Sequence, residues 1–352
     1  MLAIHAPTRE RGDLAARGPG DVVPIALLRE PIAPPTPRGD LSAFVLDLLA
    51  GRSRPSARPS VGALDPFDDD LQLALYCSYE PHFTDLPGVV GDPEWDSELL
   101  RFRQQLESAF EGGLAELVAP TVDPRPARTA IPAMIAADDG PSLSRFMERR
   151  GTWDQMRDFV VHRSAYQLKE ADGHTFGIPR LAGRPKQLLA RIQAGEYGAD
   201  ATDRTMHAEL FARTMHAMGL DPRPHAYLDV LSASALAISN VISMFGLHRR
   251  WRGALVGHLA VFEMTSVEPM GRYSRALARL GASPEARRFY DVHVLADAEH
   301  ETMALDMAAA LATAEPTLAP DVAFGAGCAI LAEQRFAACL LERWAADPGS
   351  CP

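Results

Sequence analysis

The stretch Tyr290-Asp291-Val292-His293-Val294-Leu295-Ala296-Asp297-Ala298-Glu299-His300-Glu301 organises the reading of this chain. As a helix it sets His293, Asp297 and His300 at i, i+4 and i+7, within about 60° of one another on one face. Phe289, Val292, Ala296 and Met303 flank that face and turn it toward a core. Two imidazoles and a carboxylate are costly there without partners, and a cation would supply one. On this stretch alone the plainer reading also stands: a surface helix whose Asp and His follow charge patterning.

Helical periodicity extends outward from it. Acidic residues Asp68 to Asp70 open a helix through Leu71, Leu75 and Tyr76 that ends near Pro81. A second runs from about Asp96 to Val118. Ser142 or Ser144 caps a short helix, and Thr152 caps a longer one carrying Phe159, Tyr166 and Glu170. Helices follow over about 184–196 and 203–219, and Pro224 is expected to open the most apolar one, through Leu228, Ile238 and Phe245. Further helices are expected over about 251–266, 271–280, 284–314 and 320–344. No alternating strand pattern and no Gly-rich phosphate loop after a strand is found. The expectation is one all-α domain over residues 64–347. Residues 1–63, rich in Pro, Gly and Arg, read as an extended or flexible arm with one short amphipathic helix over 41–50.

At 352 residues the chain can bury a large core, and 47% hydrophobic with 23% charged residues is ordinary for a soluble globular protein. Lys169 and Lys186 are the only lysines, an Arg bias that looks like codon usage. The formal net charge of -11 argues against a nucleic-acid partner. Cys77, Cys328, Cys339 and Cys351 lack CxxC pairing and read as reduced thiols of a cytoplasmic protein. No stretch of about 18 consecutive apolar residues suggests a membrane span, and no signal peptide is read at the N-terminus.

Other carboxylates and histidines can now be set on helices. Glu263 stands in Ala254-Leu255-Val256-Gly257-His258-Leu259-Ala260-Val261-Phe262-Glu263-Met264, apolar on nearly every side, so it needs a partner: a metal, or an arginine of Arg249-Arg250-Trp251-Arg252. Glu196 and His207 are eleven residues apart, which on an unbroken helix is about 16 Å. Two metals in one site are only about 4 Å apart, so both side chains can be ligands only if the helix breaks between them. Tyr197-Gly198-Ala199-Asp200-Ala201-Thr202-Asp203 suits a break, with Asp203 as a cap. Glu170 is either a ligand or a local partner of Lys169. His174 fits a turn. His82, His162, His225 and His258 read as core, cap or surface residues, and Glu209 and His216 as solvent-facing or supporting ones.

Together, Glu196, His207, Glu263 and the His293, Asp297, His300 cluster resemble the ligand set of the heme-oxygenase-like diiron oxidases and oxygenases, the iron-containing redox enzymes. The resemblance covers most of residues 65–345, including Asp70-Leu71-Gln72-Leu73-Ala74-Leu75-Tyr76, Met206-His207-Ala208-Glu209-Leu210-Phe211 and Phe245-Gly246-Leu247-His248-Arg249-Arg250-Trp251. One departure is the loop after Glu196, Tyr-Gly-Ala-Asp-Ala where the family is expected to carry a Gly-Gly run.

The resemblance implies a heme-oxygenase-like helical bundle and adds Glu170 as a further carboxylate ligand. Three imidazoles with three or four carboxylates suit Fe(II), with Mn(II) as the alternative. The twice-repeated Glu-x-x-His of ferritin-like bundles is absent from the sequence. The implied activity is that of a non-heme diiron enzyme with two Fe(II) and O2 as co-substrate. It would act on an amine, amino acid or carboxylic acid in secondary metabolism, with an external electron donor and no membrane partner, as a monomer or homodimer. Arg249, Arg250 and Arg252 are candidates to clamp a substrate carboxylate, or else pair with acidic helices. The competing readings are a thiaminase-like, iron-free enzyme on the same bundle, and a metal-holding helical protein without turnover.

Overall fold

The computed structural model describes residues 32–52, 58–118, 125–199 and 205–346, the side chains of residues 297 and 298 excepted. Among the described residues there is no strand. The helices, in chain order, are α1 (Asp40–Leu49), α2 (Asp69–Tyr79), α3 (Ser97–Val118), α4 (Ala127–Ala136), α5 (Leu143–Arg150), α6 (Trp153–Gln167) and α7 (Asp172–Thr175). They continue as α8 (Gly183–Glu196), α9 (His207–Ala217), α10 (Ala233–Leu247), α11 (Arg252–Met264), α12 (Val267–Arg279), α13 (Pro284–Ala314) and α14 (Ala319–Ala346). The all-α class is as expected.

Local chemistry explains most starts. Asp68 accepts from Leu71 N at 2.9 Å to open α2, and Ser283 from Ala286 N at 3.2 Å to open α13. Thr152 and Gln155 form a reciprocal capping box that opens α6. The bundle is built on α13, which packs against α4, α8, α9, α11, α12 and α14. Beside it α11 and α14 cross closely: a Cβ on Gly257 or Gly325 would run into the backbone of Val322 or Ala254 on the opposite helix. The α14 region, Pro316–Ala346, is long and apolar enough by composition to cross a membrane, although no run in the sequence suggested a span. Half of that apolar window is buried in the bundle, against α11 among others.

Four expectations need correction. The arm is not free in its described part. Helix α1 puts Phe44, Val45 and Leu49 into the core, and Asp70 accepts from Leu41 N and Ser42 N at 2.8 Å each. Upstream, Arg38 donates to the carbonyls of Leu228 and Leu231, both at 2.8 Å. Leu228 opens a tight turn over Leu228–Val230 and Leu231 follows it in extended conformation, so α10 starts only after its Ser232 cap rather than at Pro224. Helix α6 stops at Gln167, and Glu170 stands in the following turn beside Ala171, whose φ is +76°. Finally α4 forms where no helix was expected, with Pro132 inside it. The free thiols Cys77 and Cys328 are buried and Cys339 is half-buried; Cys351 lies outside the described residues.

Candidate metal centre

Every expected ligand with a described side chain converges at one buried place. Glu170 comes from the turn after α6, Glu196 is the last residue of α8, and His207 is the first of α9. Glu263 stands near the end of α11, and His293 and His300 are two turns apart on α13. All six are buried. Asp297 lies on α13 between the two histidines, and its side chain is outside the described residues.

The helix break demanded by the Glu196 to His207 spacing is present: α8 ends at Glu196, and Gly198 then turns the chain with φ +77°. That positive angle is a conformation glycine adopts without steric cost. The proposed cap Asp203 lies outside the described residues, and Met206 is the residue before α9. The result is Glu196 Oε2 at 2.7 Å from His207 Nδ1. Its other oxygen, Oε1, is 3.2 Å from His300 Nδ1. His300 Nδ1 is also 3.4 Å from Glu263 Oε2, and His293 Nε2 is 3.5 Å from Glu170 Oε2. Two donor groups follow, Glu170, Glu196, His207 and His293, and Glu196, Glu263 and His300, each with its ligand atoms within 4.8 Å of one another. Glu196 belongs to both.

Neighbours orient these rings. His293 Nδ1 donates to Phe289 O, one turn back, at 2.7 Å, which turns Nε2 toward Glu170. A Cβ on Gly195 would stand 2.7 Å from His300 Nε2, so the missing side chain on α8 is what lets that ring lie there. The electrostatics are those of a crowded site. Burial pushes the Glu170 carboxyl up more than His293 pulls it down. At Glu196 burial is outweighed by His207, His300 and His293, which hold it below the usual carboxylate range. Burial likewise opposes the charge on His300, but hydrogen bonds to Glu196 and Glu263 raise it to about 10.

A cavity of about 20 Å³ opens on the cluster, lined by Glu170, Glu196, Glu263 and His293 together with Tyr166, Ala171, His174, Gln193, Leu259, Phe262, Ser266 and Met270. A larger concavity of about 770 Å³ lies by α5 and the end of α14 and contains none of the candidate ligands. His174 is not a plain turn residue. Its Nε2 is 3.2 Å from His258 Nδ1, both rings are buried, and burial lowers both, His174 to about 4. Gln193 was missed as well; its signal was a position one turn before Glu196 on the same face of α8.

The arginines expected to clamp a substrate are elsewhere. Arg250 pairs with Glu111 at 2.6 Å, Arg252 pairs with Glu315, and Arg249 donates to Arg180 O at 3.3 Å. They stand at the opening of α11, whereas Glu263 is near its close, about 16 Å along the axis. Glu209 pairs with Arg213 at 2.5 Å, the solvent-side role expected for it.

The donor set fits a metal on evidence in the structure. Among the described residues, buried Glu170 and Glu196 find only imidazoles as ionic partners, with no Arg or Lys, and nitrogen with oxygen donors suits Fe(II) or Mn(II). The class is therefore an all-α bundle with a buried carboxylate and imidazole cluster able to hold a metal. The chain belongs to the iron-containing redox enzyme family, whose model matches residues 157–334, a span that contains every candidate ligand. A search of curated proteins found no match.

Proposed function

We propose that this iron-containing redox enzyme is an O2-dependent non-heme diiron oxidase or oxygenase acting on a small organic substrate. The observation that carries the reading is Glu196, whose two oxygens point to two different donor groups at 2.7 and 3.2 Å. In this reading Glu170, Glu196, His207 and His293 would hold one iron and Glu196, Glu263 and His300 the other, with Asp297 a further candidate ligand. When bound, the paired Fe(II) ions supply electrons to O2 in steps that one Fe(II) cannot supply alone.

The chain's own residues supply the rest. Phe289 O takes the Nδ1 proton of His293, so that Nε2 is the nitrogen that faces the site and would ligate the metal. Leu259, Phe262 and Met270 line the cavity with apolar surface and exclude water. The compact cavity admits only a small reacting group, such as one end of an amine or amino acid, and electrons for further turnovers would come from an external donor. A thiol-dependent, iron-free enzyme finds no support, because none of the described cysteines lines this cavity.

The test is anaerobic loading with Fe(II) followed by exposure to O2. We expect close to two irons per chain and O2 uptake that depends on them. Saturation at one iron, or zinc binding alone with no O2 uptake, overturns the reading.

A further inference from the structure

The turn that carries Glu170 is held in a backbone shape its own residues do not favour. Ala171, the next residue, is 3% exposed and has φ +76°. At such an angle a Cβ crowds the backbone, so a residue other than glycine keeps it only where its surroundings insist. Lys169 N donates to Tyr166 O at 3.0 Å, and Asp172 N to Lys169 O at 3.2 Å. Those bonds use backbone groups common to any sequence; the constraint particular to this turn comes from side chains.

Lys169 supplies it. Its ammonium pairs with Glu80, a fully buried carboxylate at the end of α2, and stands 4.7 Å from the centres of both the Tyr76 and the Phe83 rings. The other Glu80 oxygen lies 3.5 Å from His225 Nε2. Phe83 also meets Phe176, just beyond α7, edge-on at 5.5 Å. The end of α2 therefore grips the chain on both sides of Ala171. While Lys169 is engaged with Glu80, its neighbour Glu170 points Oε2 at His293 Nε2, 3.5 Å away. Glu196, His207 and His293 stand on helices, so Glu170 is the member of its donor group whose placement depends on a turn.

Resting on the diiron reading, we infer that Lys169 and Glu80 are positioning residues for the iron that Glu170 would hold: their pair locks the strained turn, so that the Glu170 carboxylate faces the site before a metal arrives. The donor group of Glu196, Glu263 and His300 contains no residue of this turn, so the effect falls on one iron of the two.

Lys169→Met combined with Glu80→Gln removes both charges together and strands neither. Fe(II) titrated anaerobically into this double variant should bind at one site about ten-fold more weakly, as when a group supporting a ligand is lost, with the other site unchanged and helical circular dichroism retained. In the metal-free double variant, amide hydrogen exchange at residues 168–172 should quicken while that of α13 does not. Adding Ala171→Gly, which takes the left-handed angle without steric cost, should recover most of the lost affinity. That recovery separates a role exerted through the turn from a general loss of packing, which a glycine would deepen. Iron affinity within two-fold of the unmodified chain overturns this inference and leaves the diiron reading standing. Weakened binding that Ala171→Gly does not recover, or that comes with lost helicity, overturns it too. An unmodified chain that loads no iron overturns both.

Discussion

Two buried acid and imidazole clusters in this protein solve the same problem differently. Asp158 and His162 on α6 are both buried and 3.3 Å apart. Trp344 Nε1 donates to Asp158 at 2.7 Å, Arg343 pairs with the same carboxylate, and the Arg343 guanidinium reaches His162 Nε2 at 3.1 Å. Burial would raise Asp158, but His162, Trp344 and Arg343 outweigh it and hold the carboxyl low. That cluster is closed by the protein and pins the end of α14 to α6. The Glu170, Glu196 and Glu263 cluster has imidazoles where the first has an arginine. Imidazoles give up their protons to a metal, and a guanidinium does not. A buried carboxylate thus marks structure or chemistry according to what faces it.

The largest expected effect separates the two clusters by metal content. Glu196→Ala removes the residue common to both donor groups, so iron should fall from close to two per chain to one or fewer, with helical circular dichroism retained. Metal analysis of the purified variant checks it; retention of both irons would mean Glu196 joins nothing.

The His174 and His258 pair is a third solution, neutral and self-satisfied, and it sharpens the contrast through pH. The unfolded chain takes up protons near the ordinary histidine value, whereas His174 in the fold does so only near 4. Stability is thus fully present above about pH 6.5 and is lost as pH falls toward 4, by up to about 3 kcal/mol for this ring. Urea unfolding at pH 7 and pH 5 should show the loss, and His174→Leu should flatten it. An unchanged slope in that variant would assign the acid sensitivity elsewhere.

Arg343→Met opens the closed cluster. It strands the Asp158 charge, and with the guanidinium partly solvated the expected loss is about 2 kcal/mol, without change in iron per folded chain. Iron loss here would erase the distinction between the clusters. At the small end, Arg250→Gln breaks the exposed pair with Glu111 and the contact of the guanidinium with the Trp251 ring, and should lower stability in urea by less than about 1 kcal/mol with iron intact. A marked loss of O2 uptake in that variant would restore the arginine to the substrate site.

Local features were legible in the chain and distant ones were not. The face of His293 and His300 follows from helical period, the candidacy of Glu263 from a lone charge on an apolar helix, and the break after Glu196 from the impossibility of spanning about 16 Å to one site. Helix α4 was hidden by Pro132, which argues against a helix wherever its neighbours are unknown. The docking of Arg38 on the carbonyls of Leu228 and Leu231 was hidden because backbone acceptors leave no mark on sequence. Gln193 was hidden because glutamine is an ordinary helix surface residue until neighbouring helices bury it.

By itself the sequence determined the helical class, most helix spans and the kinds of donor the site can offer, because period, caps and side-chain chemistry act within a few residues. Only the tertiary structure decided which donors share a centre, that the two oxygens of Glu196 part toward His207 and His300, and that Arg250 and Arg252 at the opening of α11 face Glu111 and Glu315 instead. Those outcomes depend on how close separate helices come. That closeness is decided by side chains that are absent, as at Gly195 against His300 and at Gly257 and Gly325 between α11 and α14, and their consequence appears only when the helices meet.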